Sequence, residues 1–171
     1  MKRKRAIVSA LAVLTVFALA VCAAQAAPSS PVPDETLIQQ MDAYFAMTKD
    51  EILAMLGADY QVVPAGPEGV CDGYFYEELG LTFAFYPDED ALELIDCDEP
   101  FRFNGVGTGS LFSEITAALG DGEINETWME LPEYTVFTLA YHWGDTVYCF
   151  IAFEADEPVS TFWIYQIPDL D

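Results

Sequence analysis

The sequence predicts an α+β domain of tandem helix-plus-antiparallel-meander repeats, in two layers with the helices on one face of the sheet. One observation is the motif E-I-x-A-x-L-G, which begins at Glu51 and again at Glu114, 63 residues further on. The other is that three strand-like runs, separated by short turns, follow each copy. Connections this short favour antiparallel neighbours, so the same unit is expected twice.

Each motif predicts a short helix. Ile, Ala and Leu at this spacing form one apolar stripe, and Gly57 or Gly120 provides the left-handed conformation that often follows a helix end. Thr48 and Glu51 have the spacing of a capping box. The second copy has only Ser110 or Ser113 as a candidate cap.

Another helix is predicted over residues 34–46, where Asp34 is a suitable cap and an apolar face is available to close one end of the core. The predicted strands alternate or are rich in aromatic and β-branched residues, and cover 73–78, 81–86 and 91–97, then 134–143, 146–153 and 159–167. The predicted segments are a signal peptide (1–26), a linker and lead helix (27–46), repeat 1 (47–106) and repeat 2 (107–171).

The pattern T-x-x-E-I-x-x-x-L-G followed by a meander, repeated in tandem, resembles the β-lactamase inhibitory protein fold and the related SmpA/OmlA-type envelope lipoproteins. The resemblance covers residues 47–167. Its matching positions, which include Glu51, Leu56 and Gly57, build helices and carry no chemistry. The resemblance implies a bacterial protein that binds other proteins or assists envelope assembly, without catalysis.

The first 26 residues have the anatomy of a signal peptide. Residues 1–5 are basic, residues 6–21 are almost entirely apolar, and Ala24-Gln25-Ala26 provides a small-x-small cleavage site. Two alternatives are an uncut membrane anchor and a lipoprotein cut before Cys22, although Val21 suits a lipoprotein site poorly. A cleaved signal peptide and both of these alternatives predict a secreted or cell-envelope domain outside the cytoplasm.

Cleavage would leave a strongly acidic chain. The whole sequence has a net charge of −23, and loss of the leader removes four of its six basic residues, which gives −27. Such a surface repels phosphates and anionic lipids, so nucleic acids, nucleotides and membranes are excluded as expected partners. The high aromatic and aliphatic content nonetheless predicts a folded core.

The remaining residues offer little for catalysis or for a cofactor. The only histidine is His142, so zinc ligation by several histidines is excluded, and no G-x-S-x-G motif is present. A bridge between Cys71 and Cys97 is disfavoured, because a three-strand meander places them at opposite ends, and Cys149 is predicted to be a buried thiol. We therefore expect no catalytic residue, no metal site and no cofactor.

Paired carboxylates keep one enzymatic alternative open. Glycoside hydrolysis uses two carboxylates in a cleft, and this chain is rich in both acids and aromatic residues. The acidic runs at 77–78, 88–90 and 96–99 are interpreted instead as solvated turn and strand-end residues. The alternatives to a binding module are thus a carbohydrate-active enzyme and a structural envelope-assembly protein.

The binding surface is predicted from strand alternation. The more aliphatic set of each strand is expected to face the helices, which leaves a second set on an open face. That set is the predicted partner-binding site, and another protein is the expected partner. It comprises His142, Tyr148, Phe150, Trp163 and Tyr165.

Overall fold

The computed structural model describes residues 34–66, 69–129 and 134–167, and the predicted signal peptide lies outside these ranges. The described residues form three helices, α1 (Glu35–Phe45), α2 (Lys49–Leu56) and α3 (Phe112–Leu119). The strands are β1 (Gln61–Ala65), β2 (Cys71–Tyr76), β3 (Leu81–Phe85), β4 (Leu92–Cys97), β5 (Glu123–Met129), β6 (Tyr134–Trp143), β7 (Thr146–Ala152) and β8 (Thr161–Gln166). None of the helices in the described ranges has the length and apolar content needed to cross a bilayer.

All the strands belong to one antiparallel sheet in the order β1-β2-β3-β4-β8-β7-β6-β5. The central junction is short, because β4 and β8 pair through Leu94 with Tyr165, Ile95 with Ile164 and Asp96 with Trp163. The predicted fold class is therefore wrong. The molecule is mainly a single eight-stranded sheet in which helices are a minor part, and not a two-layer tandem of helix-plus-meander repeats.

Two strands account for much of the error. β1 contains Pro64, which weakens a strand signal, and β5 lies within a polar stretch that the sequence analysis left without a strand. Among the described strands, β1 and β5 form the two edges of the sheet, β1 paired with β2 and β5 paired with β6. Most of the described side chains of both strands are exposed, so their sequences lack the apolar alternation that identifies a half-buried strand.

The local helix signals are more accurate. Asp34 caps α1 and accepts hydrogen bonds from the backbone N–H groups of Thr36 and Leu37. The Thr48–Glu51 capping box is confirmed, with Glu51 accepting from the Thr48 backbone at 2.9 Å. Neither serine caps α3, where the Glu114 side chain instead accepts a hydrogen bond from the Leu111 backbone N–H.

One hydrophobic cluster joins the helices to one face of the sheet, here called the core face. Its centre includes a close aromatic stack of Phe150 on Phe162, with ring centroids 4.1 Å apart, and an edge contact of Tyr44 with Phe83. Helix residues in the same cluster are Met41, Tyr44, Ile52, Phe112, Ile115 and Leu119. The glycine-containing link between β4 and α3 also contributes, because Phe103 is buried against Trp143 and Tyr148.

Candidate binding surface

The opposite side of the sheet, here called the open face, carries its own side chains in cross-strand register. Directly paired residues point to the same side of a sheet, so the register identifies the members of the face. The two buried clusters on this side contain strand residues alone, with no helical member among those described. Members of the open face include Cys71, Phe75, Thr82, Ala84, Leu94, Asp96, Trp163, Tyr165, Val147, Cys149, Ala140 and His142, and at the β5 margin Glu123, which is paired with Ala140.

The structure divides the five predicted binding residues between the two faces. His142, Trp163 and Tyr165 lie on the open face, through pairing with Val147, Cys149 and Val147 respectively. His142 is exposed, and both rings on β8 are half-buried.

Tyr148 and Phe150 were placed on the wrong face. Both are 0% exposed in the core cluster, where Tyr148 contacts Phe103 and Phe150 stacks on Phe162. The prediction assumed that the more aliphatic set of β7 would face the helices. In fact the core face takes the larger aromatic residues, while the open face takes the smaller Val147 and Cys149. Neither Tyr148 nor Phe150 is available to a partner.

Trp163 and Tyr165 form an apolar platform with polar edges. Both pack against a buried cluster of Cys71, Ala84 and Leu94, and Tyr165 also contacts the cluster around Cys149. Burial, followed by the nearby Cys149 thiol, raises the pKa of the Tyr165 hydroxyl. Both rings remain partly exposed above these small residues.

Asp96 lies beside this platform and was missed by the sequence analysis, which treated it as a solvated strand-end residue. It is paired with Thr82 on β3 and with Trp163 on β8, and it is partly buried. Burial and the neighbouring Asp98 raise the pKa of its carboxyl to about 6, partly opposed by the Trp163 indole and the Cys97 backbone N–H. The strand alternation that placed Trp163 would also have identified this carboxylate.

The indole N–H of Trp163 is buried without a hydrogen-bond acceptor among the described residues. It lies close enough to Asp96 to lower the pKa of that carboxyl, but without the geometry of a hydrogen bond. The Trp163 indole N–H is thus a buried donor next to the partly buried Asp96 carboxylate, and the two groups do not complete each other's hydrogen bonding.

The three cysteines of the described ranges are free and buried. Cys149 is a buried thiol as predicted, and burial raises its pKa to about 11. Cys71 lies on the open face whereas Cys97 lies in the core cluster. Burial raises the pKa of each of these thiols too, so all three are held in the unreactive protonated form.

His142 borders a shallow depression of about 300 Å³ beside the β5–β6 edge. Its Nε2 atom lies 4.0 Å from an Oε2 of Glu123, and both side chains are largely exposed. Asp121 also lines this depression, together with Tyr141 and Trp143. The carboxylates of Asp121 and Glu123 are exposed to solvent and are not enclosed in a cleft.

Within the described ranges, no three potential ligands among His, Cys, Asp and Glu are grouped to hold a metal.

Comparison with known proteins gives one weak similarity. No family model matches the chain, and no curated protein matches it. The chain is similar to a crystal structure of a DUF4309 family protein (YjgB) from Bacillus subtilis, with 16% identity and a TM-score of 0.45. The match covers 70% of this chain and 78% of the other. A likeness at this level carries no argument about fold or function, and the resemblance to β-lactamase inhibitory proteins stays a prediction.

Proposed function

We propose that this protein is a non-catalytic, extracytoplasmic binding module that recognises another protein through the open face of its sheet. The observation that carries the proposal is the Trp163–Tyr165 platform, two half-buried rings on a face to which the described helices contribute no buried residue. Aromatic residues with a polar edge are the side chains that most often dominate binding energy at protein interfaces.

The surroundings of the platform suit an interface. Small apolar residues surround the rings, and polar groups lie near the platform, with Asp96 on the neighbouring strand β4 and the exposed His142 two strands away on β6. A partner that covered the rings would remove apolar area from water and would exclude water from the neighbouring carboxylate. Export of the domain rests on the predicted signal peptide.

The test compares Trp163→Ala with Ile124→Ala in quantitative capture experiments on the secreted and envelope fractions of the native cell. Ile124 is a matched control because it is an exposed apolar residue on β5 whose pairing with Leu139 places it away from the open face. We expect Trp163→Ala to weaken capture by about 2 kcal/mol, or roughly thirtyfold, and Ile124→Ala to change it little.

A protein captured equally by both variants would contradict the proposal. Circular dichroism checks that each variant is folded. If Trp163→Ala does not fold, His142→Asp provides a second probe, because it adds a charge to the same face at an exposed position. Capture that is unaffected by this change would also argue against the open face.

A further inference from the structure

The centre of the open face carries one cross-strand row with an unusual composition. The row crosses β2, β3, β4 and β8, and each member is directly paired with the next: Phe75, Thr82, Asp96 and Trp163. Neighbouring strands are about 4.8 Å apart, so the Asp96 carboxylate has an aromatic ring next to it on one side and another about 10 Å away on the other.

Asp96 has no cationic partner within the described ranges. Those ranges contain Lys49 and Arg102 as the only Lys or Arg residues, and Arg102 is bound to Glu99. The other ion pair in this part of the chain joins His142 to Glu123. A partly buried carboxylate without a counter-charge is unfavourable, and it becomes more so when a partner removes the remaining water.

We propose, on the basis of the proposed function, that the open face binds a basic protein by receiving one of its arginine side chains over Asp96 and Trp163, from the solvent side of the sheet. A guanidinium group can donate two parallel hydrogen bonds to a carboxylate while its plane stacks on an indole. The ammonium group of lysine matches this arrangement less well, because it is a compact charge without a planar surface.

The charge of the whole chain supports this choice of partner. The sequence has 29 acidic and six basic residues, and four of the basic ones belong to the predicted leader. A field of this sign attracts a basic surface over a long distance and repels an acidic one. The field brings the partner to the molecule, and the row at Asp96 gives one arginine a defined place.

The test uses a tetra-arginine amide peptide as the probe, titrated into the purified protein by calorimetry at a low, fixed ionic strength. Asp96→Asn and Glu126→Gln each remove one negative charge, but Glu126 is exposed on β5, away from the row. We expect Asp96→Asn to raise the Kd about tenfold or more, as for loss of a charged hydrogen bond. Glu126→Gln should change the Kd by less than about twofold.

Equal losses in the two variants would overturn the proposal, because they would show attraction by net charge alone. A tetra-lysine peptide that binds as tightly as tetra-arginine would overturn the preference for guanidinium. Trp163→Phe keeps a ring at the platform, and a Kd unchanged by both Trp163→Phe and Asp96→Asn would place the peptide elsewhere.

The outcomes separate this inference from the proposed function. Should Trp163→Ala abolish capture of the native partner while Asp96→Asn leaves both capture and peptide binding unchanged, the open face is the interface but Asp96 is not its cation site. If Trp163→Ala leaves capture unchanged, the proposed function itself fails.

Discussion

At the scale of single residues, the Asp96 carboxylate is partly buried, which disfavours its charged form. Asp96 projects from β4 between Thr82 and Trp163, although an exposed position would have cost less. Natural proteins keep such groups where function needs them, and stability is lower as a result. The effect of Asp96 on the free energy of unfolding can be measured directly.

Asp96→Asn is expected to stabilise the free protein near neutral pH. The pKa of Asp96 is raised from 3.8 to about 6 in the folded state, so the folded state holds its proton more tightly than the unfolded state does. The wild-type protein consequently loses stability as pH rises from about 3.8 to about 6, and does not regain it above that range.

The gain for Asp96→Asn above this range is about 2 kcal/mol, because one pKa unit corresponds to about 1.4 kcal/mol and solvent screens part of the effect. Urea unfolding at several pH values measures it, with Glu126→Gln as the control. Below the range the wild type and Asp96→Asn should have similar stability. An Asp96→Asn variant that is less stable than the wild type near neutral pH would contradict the expectation.

At the scale of elements, α2 and α3 are tied to the sheet by the same kind of bond. The Tyr76 hydroxyl on β2 donates to the Gly57 carbonyl at 3.0 Å, and the Tyr141 hydroxyl on β6 donates to the Gly120 carbonyl at 2.8 Å. Gly57 and Gly120 have a φ of 88°, a left-handed value that favours glycine. Each bond satisfies a carbonyl at a helix end that would otherwise lack an intrahelical partner.

Tyr76→Phe and Tyr141→Phe should each lower the free energy of unfolding by about 1 kcal/mol, since each removes one hydrogen bond and leaves the ring packing intact. Tyr60→Phe is the matched control, because Tyr60 contacts the rings of Tyr74 and Tyr76 but its hydroxyl forms no hydrogen bond with another described residue. Chemical denaturation measures all three variants. If Tyr60→Phe lowered the free energy of unfolding as much as Tyr76→Phe and Tyr141→Phe, the effect would come from ring packing and not from the hydrogen bonds.

The elements also show what sequence alone predicts well. Helix ends depend on neighbouring residues, so Asp34, Thr48, Gly57 and Gly120 were sufficient to place them. The six strands with strong apolar patterns were located to within about two residues at most ends. Whether β1 and β5 form strands depends on partners elsewhere in the chain, and so does the face on which Tyr148 and Phe150 lie. Local sequence patterns do not predict such partners.

At the scale of the whole molecule, one core cluster extends across the central junction of the sheet. Ile95 on β4 is paired with Ile164 on β8, and both are 0% exposed in the cluster that also contains Phe83 and Phe150. The two sides of the junction therefore share the apolar contacts that stabilise them. Such sharing favours unfolding in a single cooperative step.

Ile95→Ala should lower the free energy of unfolding by about 3 kcal/mol, through lost apolar contacts and a cavity at the junction. The unfolding transition should remain single. Thiol labelling gives the check, because Cys97 and Cys149 are buried on opposite sides of the junction and should become reactive at the same denaturant concentration. Labelling of Cys97 while Cys149 stays protected would instead show that the two sides unfold separately.

The two margins of the sheet affect how copies of the molecule meet. Pro64 on β1 offers no N–H to an incoming strand, and prolines in edge strands typically occupy such solvent-facing positions. Glu123 and Glu126 are exposed along β5, so two copies that approached through this margin would bring like charges together. Backbone groups at both margins are therefore poor templates for end-to-end growth. Like-charge repulsion between these margins is therefore expected to oppose fibre growth at high concentration.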